Sequence, residues 1–380
     1  MKVAILTFAR TNNYGATLQC YALSKFIERF GHEVTILNVP LLKAGAPRNK
    51  TLLEKLLAKI QEKLKPYEHR YYRTSEQLKQ DHQYNSKNMQ LFDEFRTKYF
   101  PNLTHEYVSE IDFDRDYPKA DLYIVGSDQV WNLWVTNIQY PLFFFSFLKN
   151  NETRISYAAC MGGDRNFKFT ENEINNINKL LAKFNGITVR DTTGISILQK
   201  NFHINAKQVL DPTFLIDSYD ELLKDSDIDA SGSMFCFKFI INDDWVKEIK
   251  YISETLSLKV RMDSCLIPID GFDFKPICKV QDWLKLIKTS DFVFTDSFHG
   301  MVFSILFRKQ FVATPSYKGG EERYIDLAMK LGLTDRVYTS PKDLTKNRNK
   351  WIKKINYDEV YEKLKTLKDE SICFLREYLK

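Results

Sequence analysis

Short apolar runs alternate with amphipathic stretches along most of the chain. Residues 3–8 form an apolar run of the kind a strand buried on both faces requires. A polar loop, 9–14, follows. Leu18, Tyr21, Ala22, Lys25 and Phe26 then recur at helical spacing through 15–30, with Gly31 as the stop. The next apolar run is 33–39. A strand, loop, helix and strand in this order predict a parallel sheet.

Residues 40–118 break that rhythm and predict a helical insertion. Within it, Leu52, Leu53, Leu56, Leu57, Ile60 and Leu64 share one face of a helix over 51–65, with Lys55, Lys59 and Lys63 elsewhere on it. Such a helix either packs on its own domain or rests a basic face on an anionic membrane.

From 120 the alternation resumes. Strands are predicted at 122–125, 154–159 and 186–189, with helices at 170–184 and 193–199, and Asp211-Pro212 marks a turn. The polar, acidic stretch 218–233 reads as a boundary. A second unit follows, with strands at 234–241, 258–262, 292–295 and 311–314. Its helices are predicted at 245–256, 280–288, 301–307 and 321–331, and 357–378 reads as one long closing helix. The pattern therefore predicts an α/β protein of two lobes. Residues 1–217 form the first, carrying the insertion, and 233–345 the second. A helical tail, 346–380, returns to the first lobe.

Length and composition narrow the function classes. A chain of 380 residues fits two domains at roughly 100–200 residues each. The net charge of +6 is too diffuse for a nucleic-acid footprint, and no nucleic-acid-binding motif accompanies it. Six cysteines are scattered without a CxxC pair, which disfavours a zinc site or disulfide framework and favours a reducing, cytoplasmic compartment. The opening MKVAILTFAR lacks the apolar core of a signal peptide, and no run of 18 apolar residues suggests a membrane span.

Ligands of open α/β sheets bind beyond the carboxyl ends of the strands, and several loops there carry unusual side chains. Residues 10–16, with Asn13, Tyr14 and Gly15, lead into a helix whose free N–H groups suit an anion. The loop is not GxGxxG, which disfavours a dinucleotide, and its residues also suit a plain turn. Residues 126–132 hold Asp128 and Gln129, where Asp128 is either a site residue or a helix cap. Residues 296–300 hold Ser297, His299 and Gly300. An imidazole titrating at about 6.5 suits proton transfer near neutrality, although a structural histidine is the plain alternative. Three cations complete the set: Arg190 at a strand end, Lys318 before two glycines, and Arg323 in the first turn of a helix. A cation there opposes the helix dipole unless an anion is near; a surface ion pair is the alternative.

These motifs, taken in order, carry a resemblance. Asn-Asn-Tyr-Gly-Ala (12–16) comes first, then Gly-Ser-Asp-Gln-Val-Trp-Asn (126–132), Ser-Tyr-Ala-Ala (156–159), Val-Arg-Asp (189–191) and Leu-Asp-Pro-Thr (210–213). Thr-Asp-Ser-Phe-His-Gly (295–300), Arg-Tyr-Ile-Asp-Leu (323–327) and Leu-Gly-Leu (331–333) complete the set. Together they resemble the polysaccharide pyruvyl transferase family. The insertion and the tail carry no family motif.

The resemblance implies two Rossmann-like lobes like those of GT-B glycosyltransferases, with the active site in the cleft between them. It implies transfer of a pyruvyl group from phosphoenolpyruvate to two saccharide hydroxyls as a cyclic ketal, in bacterial surface-polysaccharide synthesis. No cofactor or metal is implied. The matched positions give His299 and Asp128 as catalytic candidates and Arg190, Arg323, Ser297 and Gly300 as donor contacts, to which Lys318 is added from its position alone. Asn13, Tyr14 and Gln129 are the acceptor contacts. The acceptor is a saccharide, with a lipid-linked one as a variant that would bring 51–65 to the inner face of the cytoplasmic membrane. Two other readings stay open: a nucleotide-sugar glycosyltransferase using Asp296 and Phe298, and a non-enzymatic sugar-binding member of an assembly complex.

Overall fold

The computed structural model describes residues 1–42, 75–100, 102–149, 151–163, 168–263, 268–275, 277–315 and 320–380, with 75–85 described by backbone alone. The predicted helix at 51–65 and Lys318 lie outside the described residues.

The first sheet holds seven parallel strands: β1 (Lys2–Leu6), β2 (Glu33–Asn38), β3 (Leu103–Glu106), β4 (Leu122–Val125), β5 (Thr153–Ala159), β6 (Gly186–Val189) and β7 (Lys207–Gln208). Their order is β3-β2-β1-β4-β5-β6-β7. The second sheet holds β8 (Ser233–Phe237), β9 (Lys259–Asp263), β10 (Asp273–Lys275), β11 (Phe292–Thr295) and β12 (Gln310–Ala313), in the order β10-β9-β8-β11-β12. In each sheet the order reverses beside the first strand, between β1 and β4 and between β8 and β11. These are the two points where loops part and leave a crevice. The central strands are buried throughout, save for Lys2, because helices cover both faces of each sheet. Two α/β lobes are thus present, as the sequence pattern predicts, and they are Rossmann-like lobes of GT-B type, as the family resemblance implies.

The longer helices are α1 (Tyr14–Glu28), α2 (Ser75–Tyr99), α3 (Glu171–Leu181), α4 (Thr192–Phe202), α5 (Asp243–Leu256), α6 (Val280–Thr289), α7 (Phe298–Leu306), α8 (Glu322–Leu331) and α9 (Tyr357–Tyr378). Four begin earlier than apolar spacing alone predicts, because a cap sets the first turn. The Asn13 side chain accepts from Ala16 N at 3.1 Å and starts α1. Ser297 Oγ accepts from Gly300 N at 3.2 Å and starts α7 at Phe298, three residues before Met301. Each such cap is worth about 1 kcal/mol. The displacement of α7 matters for function, since it moves His299 from the expected loop into the first turn of a helix.

The 40–118 region differs from a purely helical insertion. Leu103–Glu106 forms β3, an edge strand of the first sheet. Only four residues long and polar at three of them, it carries too little apolar alternation to be read from sequence.

The lobes share an interior. One buried apolar cluster contains Val3, Ile5 and Leu18 of the first lobe together with Met234, Trp283 and Val293 of the second. Tyr14 stacks on Trp283, with ring centroids 5.2 Å apart and planes 2° from parallel, and its hydroxyl donates to Cys278 O at 2.9 Å. Helix α9 ties the lobes a second time. Tyr361 near its start donates to Leu306 O at 2.9 Å, and Tyr378 at its end donates to Asn185 O at 2.7 Å. No helix among the described residues is long and apolar enough to cross a membrane.

Candidate active site

Polar side chains converge where the carboxyl edge of the first sheet meets the first turn of α7. Arg190 leaves the end of β6 and turns inward. It is 5 % exposed. Its Nη1 donates to Asp211 Oδ2 at 3.0 Å, and its Nη2 lies 3.9 Å from Asp128 Oδ1. Asp211 is the hub. Its Oδ2 also accepts from Ser127 Oγ at 2.9 Å and faces His299 Nε2 at 3.4 Å. Its Oδ1 accepts from the Thr213 amide at 3.1 Å and hydroxyl at 2.7 Å. His299 comes from the second lobe and the others from the first, so the cluster exists only because the lobes meet.

Burial alone would raise the Asp211 carboxyl. The His299 charge and hydrogen-bonding capacity, with the Arg190 guanidinium, outweigh it and hold the group well below the usual carboxylate range. Burial likewise works against the charge on Arg190, while Cys160, Asp211, Asp128 and Asp191 around it hold the guanidinium firmly protonated.

Among the described residues, three buried nitrogens here find no hydrogen-bond partner: Arg190 Nε, Arg323 Nε and His299 Nε2. The 3.4 Å from His299 to Asp211 is an ion-pair separation rather than a hydrogen bond. Buried donors are satisfied in the great majority of cases, so three in one place mark a site for an acceptor-rich ligand. The Phe298 ring lies between the two guanidinium groups, with its centroid 4.6 Å from Arg190 Cζ and 5.6 Å from Arg323 Cζ. Arg190, Asp211, Phe298, Arg323, Leu327 and Lys330 line a pocket that α9 closes with Leu367 and Glu370.

Local backbone geometry supports this constellation. Asp128 has φ 74° and Ala158 has φ 55°, left-handed values for residues with side chains. Such conformations cost about 1–3 kcal/mol each and persist where surrounding contacts impose them. Here Cys160 N donates to Asp128 O at 2.9 Å, pinning the loop after β4 to the end of β5. The loop after β1 is held from outside. Arg96 of α2, 3 % exposed, donates to Thr11 O at 3.4 Å and Asn12 Oδ1 at 3.2 Å, and Arg10 pairs with Asp93 on the same helix.

Thus His299, Arg190, Arg323 and Asp128 are brought into one neighbourhood. The remaining sequence candidates have other work. Tyr14 is 7 % exposed and stacks on Trp283 in the shared core. Asn13 caps α1, and Ser297 and Gly300 satisfy each other as the cap of α7. Gln129 Oε1 accepts from Asn132 Nδ2 at 2.6 Å. Asp296 and Phe298, the residues a nucleotide-sugar enzyme would use, are engaged inward. Asp296 accepts from Phe239 N at 2.8 Å and Ile240 N at 3.0 Å and pairs with buried Lys238, while Phe298 sits between two arginines. Asp211, Ser127 and Arg96 escaped sequence reasoning. Asp211 read only as a turn residue, although its place in Leu-Asp-Pro-Thr, in order among the other motifs, was the available signal. Among the described residues, no three His, Cys, Asp or Glu side chains are placed to hold a metal ion.

Gly15, in the first turn of α1, faces the His299 ring. A Cβ built there would lie 2.0 Å from Nδ1 and 2.3 Å from Cγ. Alanine normally favours a helix over glycine by about 1 kcal/mol, so any loss in Gly15→Ala reports the clash. Displacing the imidazole by about 1 Å should lower kcat/KM about a hundred-fold. Steady-state kinetics of the folded variant, with folding checked by circular dichroism, measures this. Unchanged kinetics would show that the ring can move without consequence.

The comparisons with known proteins follow the same outline. No curated protein sequence matches the chain. Among solved structures, UDP-GlcNAc 2-epimerase from Rickettsia bellii aligns at TM-score 0.54 and 10% identity, covering 100% of this chain and 97% of that one. UDP-GlcNAc 2-epimerase from Methanocaldococcus jannaschii aligns at 0.50 and 11%, covering 99% and 100%. The Neisseria meningitidis epimerase bound to UDP-GlcNAc aligns at 0.50 and 11%, covering 100% and 99%. Such low identities establish the fold alone. The sequence-family comparison goes further: the model described as polysaccharide pyruvyl transferase matches residues 13–316. That span contains Asp128, Arg190, Asp211 and His299, and it covers most of the protein, so the chain belongs to the polysaccharide pyruvyl transferase family.

Proposed function

We propose that the protein transfers the pyruvyl group of phosphoenolpyruvate onto two hydroxyls of a saccharide, forming a cyclic ketal and releasing phosphate. The observation that carries this reading is the set of three unsatisfied buried nitrogens on Arg190, Arg323 and His299. Phosphoenolpyruvate is small, dianionic or trianionic, and rich in acceptor oxygens at both ends. Two guanidinium groups suit its carboxylate and phosphate, each of which they can grip through paired N–H groups.

The reaction requires a proton on the methylene carbon, which becomes the methyl group. The adjoining carbon turns cationic and takes the first hydroxyl oxygen. Phosphate leaves with the carbon–oxygen bonding pair, and the second hydroxyl closes the ring. Of the two hydroxyl protons, one balances the proton placed on carbon and the other leaves with phosphate. In this reading His299 delivers the proton, because its ring nitrogen faces the Asp211 carboxylate at 3.4 Å inside the cluster. Arg190 and Arg323 take the charge that grows on phosphate. Asp128, turned toward Arg190, is the base for an acceptor hydroxyl, and Gln129 borders the acceptor's approach. The inward engagement of Asp296 and Phe298 favours this donor over a nucleotide sugar. A saccharide made for the cell surface is the acceptor, and the cytoplasm supplies the donor.

Phosphate release from phosphoenolpyruvate in the presence of candidate saccharides tests the proposal, alongside thermal unfolding with phosphoenolpyruvate or UDP-sugars. Stabilisation by phosphoenolpyruvate with acceptor-dependent phosphate release is expected. Stabilisation by a UDP-sugar and indifference to phosphoenolpyruvate would replace this reading with glycosyl transfer.

A further inference from the structure

Asp211 organises the site, yet no sheet hydrogen bond holds the residue before it. β7 ends at Gln208, and Val209 N, donating to Val189 O at 3.0 Å, makes the last backbone contact with β6. Beyond it, the two peptide groups of Leu210 are held by side chains. Tyr157 from β5 donates to Leu210 O at 3.0 Å. Leu210 N donates to Ser371 Oγ of α9 at 2.9 Å. Ser371 is 1 % exposed, and its own proton goes to Leu367 O at 2.6 Å, which fixes the hydroxyl oxygen toward Leu210.

The same helix also holds the other partner of the cluster. His299 lies in the first turn of α7, and the carbonyl end of α7 is bound by α9. Tyr357 donates to Ser304 O at 3.2 Å and Tyr361 to Leu306 O at 2.9 Å. One helix therefore fixes the carboxylate from the first lobe and the imidazole from the second. It does so from beyond residue 316, where the family match ends.

We infer that Ser371 is a positioning residue for Asp211, and that α9 sets the register of the Asp211–His299 pair across the lobes. The inference rests on the catalytic reading of that pair given above. Without the Ser371 oxygen, Leu210 N–H is buried and unsatisfied, and the chain must shift to reach another acceptor. Asp211 is the next residue and moves with it.

The test is nuclear magnetic resonance of the full-length protein labelled with 15N-histidine. The His299 ring signals are identified among the six histidines by their loss in His299→Gln. In Ser371→Ala these signals should shift and kcat should fall about ten-fold, and Ser371→Thr should restore both. Tyr378→Phe is the control: it removes a bond from the same helix, at Asn185, and should lower the melting temperature with the His299 signals in place. Wild-type signals in Ser371→Ala, or equal shifts in Tyr378→Phe, would overturn the inference. Should Ser371→Ala not fold, Ser371→Cys, with its poorer acceptor, must show a smaller shift of the same signals or the inference fails. A wild-type enzyme inert toward phosphoenolpyruvate would overturn the donor assignment, while the ring signals would still decide the positioning role.

Discussion

His299→Ala should lower kcat/KM about a thousand-fold, within the range of about 10²–10⁴ for loss of a positioned acid or base. The imidazole is 6 % exposed, faces Asp211 at 3.4 Å and, among the described residues, has no hydrogen-bond partner for Nε2. A purely structural histidine in so buried a place would be expected to spend that nitrogen on a partner. His299→Gln separates chemistry from packing, since it fills much of the same volume and keeps an N–H for Asp211. Both variants should still bind phosphoenolpyruvate through Arg190 and Arg323, giving a fall in kcat with a modest change in KM. Turnover near wild type in His299→Gln would remove the proton-transfer role and leave at most a positioning one.

Asp211→Asn should have the largest effect on stability. The carboxylate is buried and receives Arg190, Ser127 and Thr213 while facing His299. Removing its charge leaves the Arg190 guanidinium buried and poorly paired, a change that costs about 3–5 kcal/mol. The pH dependence follows from the depressed carboxyl. A carboxyl whose pKa lies lower in the folded state than its unfolded value of about 3.9 leaves the unfolded chain binding more protons. Its stabilisation is therefore complete above about pH 5 and is lost as the pH falls through about 4 and below. Chemical denaturation across that range should show wild type losing stability on the acid side, with the variant less stable throughout and flatter in the same window. Parallel curves would mean that Asp211 does not titrate as this geometry requires.

How far the sequence reveals the molecule depends on the kind of interaction. The fully buried strands were legible because they need an unbroken apolar run. Leu122–Val125 and Phe292–Thr295 occupy the predicted residues. Helix starts were less so, since Asn13 and Ser297 decide them by a single hydrogen bond and not by periodicity. β3 was hidden because an edge strand buries little. In the site, charged residues at strand ends signalled themselves: Arg190 and His299 stand where a purely structural chain has small use for them. Asp211 did not, because an Asp-Pro pair has an ordinary use in turns, and its role appears only when β6, α7 and the segment after β7 meet. Arg96 escaped for a related reason: only tertiary packing brings α2 against the loop after β1.

The apolar cluster common to the two lobes sets how the enzyme can work. A rocking motion that opened the cleft widely would bring Tyr14, Trp283 and their neighbours into water, at about 1.5–3 kcal/mol for each large side chain exposed. Wide separation of the lobes is therefore costly, and the arginine pair is already assembled around Phe298 in this structure. Binding to such a site rests mainly on fit to an arrangement already in place. In the proposed function, the choice among saccharides falls to the residues around that arrangement.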